Sequence, residues 1–183
     1  MSENKRLEEV KITSKEIFDG HLLHVYKDTV ELPNGKEASR ELIRHIGAVA
    51  VVPLTDDGNV IVERQFRYPL GQVITEIPAG KLDSFDEDRL EAIKRELREE
   101  TGYVADEWME LGDYHPAAAY TDERITLYLA TGLHKGEREL DEDEFLDVIE
   151  VPLIDLVKDV ATGKITDGKT QVAILKTYLL LKE

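Results

Sequence analysis

Apolar residues recur along this chain in two rhythms: alternations and short runs that suit strands, and a three-to-four residue spacing that suits helices. Around residues 10–45, alternating stretches flank Pro33-Asn34-Gly35-Lys36, and Asn-Gly is a strong hairpin signal, so antiparallel β structure is expected. Gly47 to Leu54 is apolar almost throughout, as in a strand buried on both faces. Residues 56–59, Asp-Asp-Gly-Asn, turn the chain and Val60 to Phe66 returns. Val73 to Ala79, Trp108 to Tyr114, Ile125 to Ala130 and Phe145 to Val151 read as further strands. Residues 80–103 read as a helix with its entry and exit loops. Ser84-Phe85-Asp86-Glu87 has the form of a capping box, with Ser84 as N-cap and Glu87 as its reciprocal partner. Leu90, Ile93 and Leu97 share one face of that helix, and Gly102 supplies a left-handed residue to end it. Pro152 to Val160 and Thr170 to Leu181 read as later helices, the last amphipathic through Val172, Leu175 and Leu179. Strands with helices on both sides predict an α/β protein, an α/β/α sandwich around a mixed sheet. A small antiparallel β extension over residues 1–45 precedes the main domain, 46–183.

Composition narrows the function classes. At 183 residues the chain suits one compact domain with a small extension. Its net charge of −16, from 23 basic and 39 acidic residues, opposes non-specific binding to nucleic acid or an anionic membrane. It has no cysteine, which excludes disulfides and thiolate-bound zinc. The residues from Met1 to Val10 contain no apolar signal region and no segment approaches membrane-span length, so a cytoplasmic protein is expected.

The helix near residue 95 breaks a local rule. Glu96, Glu99 and Glu100 crowd its last turns, where carboxylates face the negative end of the macrodipole, and Glu96 and Glu100 repel as an i,i+4 pair. Something cationic should compensate. Side chains at i, i+3 and i+4 share one face, so the three can converge on one hard cation, and oxygen-only ligation suits Mg2+ or Mn2+. As a bare charge run the segment would be a solvated helix face, but a local rule broken without visible compensation marks a functional site.

The pattern resembles the Nudix hydrolase signature, Gly-x5-Glu-x7-Arg-Glu-U-x-Glu-Glu-x-Gly-U, with U aliphatic or aromatic. From Glu87 through Arg95-Glu96-Leu97, Glu99-Glu100 and Gly102-Tyr103 the fit is complete, while six residues rather than five separate Gly80 from Glu87. The resemblance implies metal ligation by Glu96, Glu100 and the carbonyl of Ala79. Glu87 is open between helix capping and metal support. Arg95 is open between a substrate contact and orienting the carboxylates by ion pairing.

Further segments resemble the ADP-ribose pyrophosphatase branch of that family: Arg40-Glu41 before Gly47-Ala48-Val49, Arg64 to Leu70, and Glu76-Ile77-Pro78-Ala79-Gly80. The branch implies a homodimer with an exchanged N-terminal β region, and a nucleotide-sugar substrate. Candidate substrate contacts are Arg40 near adenine, Glu41, Arg67 near the phosphates, Glu76, and Glu123 in Thr121-Asp122-Glu123. For Arg40 a surface ion pair is the alternative, and for Glu123 a strand-end charge. The acidic run 137–144 is by itself a solvated loop; in the branch, a glutamate here deprotonates the attacking water and another, two residues on, binds metal. The matching pair is Glu142 for the base and Glu144 for the metal, with Glu99 next in line as base. Ala118-Ala119 replaces the branch's usual Pro-Gly, and His21 stands where some relatives carry an aromatic residue. The expected reaction is hydrolysis of ADP-ribose to AMP and ribose 5-phosphate, the alternatives being another nucleoside diphosphate sugar or a non-catalytic ligand-binding module.

Overall fold

The computed structural model describes residues 6–140 and 145–182. It divides into two units, one running to His45 and including Ala117–Glu123, the other comprising Ile46–Pro116 and the chain from Arg124 onward. The first unit is a three-stranded antiparallel sheet of β1 (Val10–Asp19), β2 (His24–Glu31) and β3 (Glu37–Arg44). Gly35, at φ 77°, closes the turn between β2 and β3, so the hairpin forms where Asn-Gly predicts it. Arg40 and Glu41 lie within β3, ahead of Gly47-Ala48-Val49.

In the second unit, β4 (Ala48–Pro53) pairs in parallel with β9 (Ile125–Lys135) at the middle of a mixed sheet. The sheet is completed by antiparallel β7 (Ala79–Lys81) beside β4 and β8 (Tyr103–Tyr114) beside β9. A second, antiparallel sheet has the order β10 (Leu146–Pro152), β5 (Asn59–Arg67), β6 (Gln72–Glu76). The helices are α1 (Arg89–Thr101), α2 (Leu153–Ala161) and α3 (Gly168–Leu180).

The period-two alternation of strand side chains builds both cores. Val49 and Val51 of β4, with Tyr128 and Ala130 of β9, pack against Ala92, Ile93 and Leu97 of α1. The intervening Ala50, Val52, Leu127 and Leu129 face the opposite way, into a core with Val60 and Val62 of β5, Leu156 of α2 and Ile174 of α3. This is the expected sandwich, and it is why β4 reads as continuously apolar: both of its faces are covered. Ile93 and Leu97 are fully buried, so truncating either to alanine removes about 2–5 kcal/mol.

Two local expectations are corrected. The stretch Val73 to Ala79 is two strands, because Ile77 and Pro78 separate β6 from β7. The helix begins four residues later than the Ser84 capping box implies. Its N-cap is Asp88, whose carboxylate accepts from the N–H groups of Leu90 and Glu91 at 3.0 Å each. Glu87 instead accepts from the Asp83 N–H and pairs with Arg95. At the other end Gly102 takes φ 74° and its N–H caps the Arg98 carbonyl, as its sequence position predicts.

Replacing Asp88 by alanine removes the side-chain cap and is expected to cost about 1 kcal/mol, whereas Ser84→Ala is expected to be near neutral. Denaturant midpoints of the two variants compare them directly; an equal or larger loss in Ser84→Ala would mean that the earlier cap operates.

Candidate active site

Packing of α1 through Ala92, Ile93 and Leu97 leaves its acidic edge beside β7, which Gly80 and Ala79 hold against β4 in register with Val49 and Ala50. Glu100, only 7 % exposed, accepts a hydrogen bond at 3.1 Å from the Ala79 N–H. Glu96 lies over Gly80 so closely that a β-carbon there would fall 1.9 Å from its carboxyl carbon. The glycine is therefore required by the close approach of a carboxylate and not by a special φ. Ala79, Gly80, Glu96, Glu99 and Glu100, with Lys81, Asp83, Arg95 and Glu139, line a cavity of about 370 Å3.

Arg95 ties together acids from the helix and from the loop ahead of it. Its Nη1 donates to Glu96 Oε1 at 2.9 Å and to Glu99 Oε2 at 3.3 Å, and its Nη2 reaches Glu87 Oε1 at 3.2 Å and Asp83 Oδ2 at 3.4 Å. Partial burial opposes its charge, but the field of Glu96, the Glu87 hydrogen bond and Asp83 outweigh that, so its pKa is raised above the ordinary guanidinium value. The segment entering the acidic run is tied to the same helix end: the Glu139 N–H donates to the Glu99 carbonyl at 3.2 Å and Arg138 Nε to the Glu100 carbonyl at 2.6 Å. Both carbonyls belong to the last turn, where no helical donor remains.

A second charge cluster lies at the end of β6. Arg67 forks onto Glu76, with Nε to Oε1 at 2.7 Å and Nη2 to Oε2 at 3.0 Å, and the Lys169 ammonium of α3 also donates to Oε2. Burial alone would raise the Glu76 pKa; the Arg67 fork and Lys169 reverse this and hold it below the ordinary carboxylate value. Arg67 also senses the charge of Glu100. Lys169 was invisible to sequence reasoning, because its partner lies 93 residues away.

In the N-terminal unit, Arg40 forks onto Glu9, Glu41 stands 3.8 Å from Lys27, and Glu123 lies 3.9 Å from His45 Nδ1. Glu142 and Glu144 lie outside the described residues.

Residues 44–170 match the family model of the NUDIX domain. The chain belongs to the Nudix family. Residues 9–43 match a second model, the nucleoside diphosphate sugar hydrolase N-terminal domain. The chain is 45% identical to an ADP-ribose pyrophosphatase of Bacillus subtilis (strain 168), over 98% of its own length and 96% of the relative's. It is 42% identical, with the same coverage, to a methanol dehydrogenase activator of Bacillus methanolicus. A crystal structure of an ADP compounds hydrolase aligns with TM-score 0.85 over 96% of both chains at 24% identity, a likeness that concerns the fold.

As a Nudix protein the chain carries one extra residue between Gly80 and Glu87, and that residue falls in the connection between β7 and α1, where Glu87 still reaches Arg95. Nudix hydrolases are generally dependent on a divalent metal ion. The donor set here fits a hard cation: Glu96, Glu99, Glu100 and the Ala79 backbone offer only oxygen ligands, and the cavity carries five acids against two bases. Among the described residues the carboxylates ring this cavity without three ligating side chains meeting at one point, two of them being drawn toward Arg95 and one toward the Ala79 N–H. Asp83 and Lys81, which sequence reasoning did not single out, belong to the same wall.

Gly80→Ala is expected to leave the midpoint of thermal unfolding within a few degrees of wild type, because only the flexible Glu96 side chain must move. Displacement of that carboxylate is expected to lower turnover roughly 100-fold and to raise the metal concentration needed for half-maximal rate. Wild-type rates at limiting metal would show that Glu96 does not need its place over Gly80.

Proposed function

We propose that this chain hydrolyses the pyrophosphate bond of ADP-ribose, giving AMP and ribose 5-phosphate, with Mg2+ as its metal and Mn2+ able to substitute. The observation that carries the reading is the joining of the Arg-Glu-Leu-x-Glu-Glu carboxylates to the Ala79–Gly80 backbone around one cavity. Near-full-length similarity to an ADP-ribose pyrophosphatase supplies the substrate. A second reading, another nucleoside diphosphate sugar, is favoured by the match of the N-terminal segment to the nucleoside diphosphate sugar hydrolase model.

In this reading Glu96 and Glu100, with the Ala79 carbonyl and Glu144, hold the metal, and Glu87 supports them through Arg95. A bound divalent ion supplies neutralisation of phosphate charge and activation of water. Arg95 positions Glu96 and Glu99 by the ion pairs described above. Glu142 takes the proton of the attacking water as that water's oxygen bonds to one phosphorus, and the bond from that phosphorus to the bridging oxygen breaks. Arg67 presents a guanidinium fork suited to phosphate oxygens. Arg40, Glu41 and Glu123 complete the set of substrate contacts, while buried Glu76 bears on the substrate through Arg67, whose fork it accepts. The chain acts as a homodimer through its N-terminal sheet; exposed Val10, Ile12, Ile17 and Phe18 on β1 support this, since an apolar strand of this kind gains by a partner surface.

A panel of nucleoside diphosphate sugars with Mg2+ is expected to give fastest turnover on ADP-ribose, and a different best substrate would replace the leading reading with the second. On that substrate Glu142→Gln is expected to lower kcat by about 100-fold to 10,000-fold with KM little changed, while Glu144→Gln weakens the metal dependence. Small, equal effects would move the base to the helix, Glu99 first. Light scattering at micromolar concentration is expected to report a dimer; a monomer would remove the dimer assignment alone.

A further inference from the structure

Glu76 has more cationic company than its own charge requires. It is 3 % exposed and accepts both the Arg67 fork and the Lys169 ammonium, while Glu63, buried and in register opposite it on β5, adds a second acid to the same interior. The two cations differ in setting. The Lys169 side chain is 10 % exposed and is braced by Asp167 Oδ2 at 3.1 Å, at the start of α3. Asp167 in turn accepts from the Thr170 N–H and hydroxyl, and Thr170 Oγ1 accepts from the Ile77 N–H at 2.9 Å. Lys169 is thus fastened to the strand connection that carries Glu76. The Arg67 side chain is 43 % exposed, at the end of β5, and has no such brace among the described residues.

A buried carboxylate stripped of its partner is left with an uncompensated charge, so a lone Arg67–Glu76 pair would resist opening. Retention of Lys169 removes that penalty. We propose that Lys169 is a positioning residue that keeps buried Glu76 neutralised, so that Arg67 can transfer its fork from Glu76 to a phosphate oxygen of the substrate. No bond is made or broken in this exchange, only hydrogen bonds. It rests on the reading of Arg67 as a phosphate contact, and it assigns to α3 a part in substrate binding that the signature helix does not contain.

Steady-state kinetics of the full chain on ADP-ribose with Mg2+ test it. Lys169→Met is expected to raise KM about tenfold or more with kcat within about twofold, because Arg67 is then captured by Glu76. Lys169→Arg is expected to rescue most of that loss. Once residue 76 is neutral, Lys169 should no longer matter: Glu76→Gln and Glu76→Gln/Lys169→Met are expected to share one KM. This comparison stands even if Lys169→Met alone does not fold. A KM that rises further in the double variant, or an unchanged KM in folded Lys169→Met, would overturn the proposal. Arg67→Ala separates the two levels. If it raises KM while the Lys169 variants do not, only the positioning role falls; if it leaves KM unchanged, the phosphate contact falls with it.

Discussion

The concentration of carboxylates on the last two turns of α1 is the constraint around which the rest of the site is arranged. Two unit charges about 4 Å apart repel by roughly 4 kcal/mol at an effective dielectric of about 20, and the helix macrodipole adds to the cost. Arg95 answers it with contacts to four acids, Asp83, Glu87, Glu96 and Glu99, that come from the helix and from the loop ahead of it. A single exposed pair of this kind contributes little, but a partly buried guanidinium shared by several acids is screened less and is geometrically committed. Charge remains after Arg95 is counted, and it is directed at one cavity.

Rigidity of the opposite wall comes from backbone rather than charge. Between Glu76 and Ala79 the connection from β6 to β7 is tied at successive groups: the Ile77 N–H to Thr170, the Pro78 carbonyl to the Val51 N–H, and the Ala79 N–H to Glu100. Backbone held by strand, helix and side chain together has little freedom to drift. The same few residues link the helix acids to the Arg67–Glu76–Lys169 cluster, so the two charge systems share one support.

The family's glycine illustrates how a signature residue acts through space. Gly80 has an ordinary strand conformation, and its requirement arises only because Glu96, sixteen places on, lies against it. Glu87 is similar: its capping-box spacing from Ser84 is genuine, but its carboxylate is used by Arg95 and by the Asp83 N–H.

Elements whose cause is local or periodic were legible from the residues alone. The apolar run of β4, the Asn-Gly hairpin, the Leu90-Ile93-Leu97 face and the Gly102 terminus all depend on neighbours within a turn or a strand. The Arg and Glu spacing likewise carried the family and the helix face on which its acids stand. Tertiary structure decided what local signals leave degenerate or cannot express. Ser84-x-x-Glu87 and Asp88-x-x-Glu91 both have the spacing of a helix start, and the choice of Asp88 coincides with the recruitment of Glu87 to Arg95. Lys169 reads as an ordinary charge near a helix start until folding brings it to Glu76 across 93 residues, where burial makes the pairing obligatory.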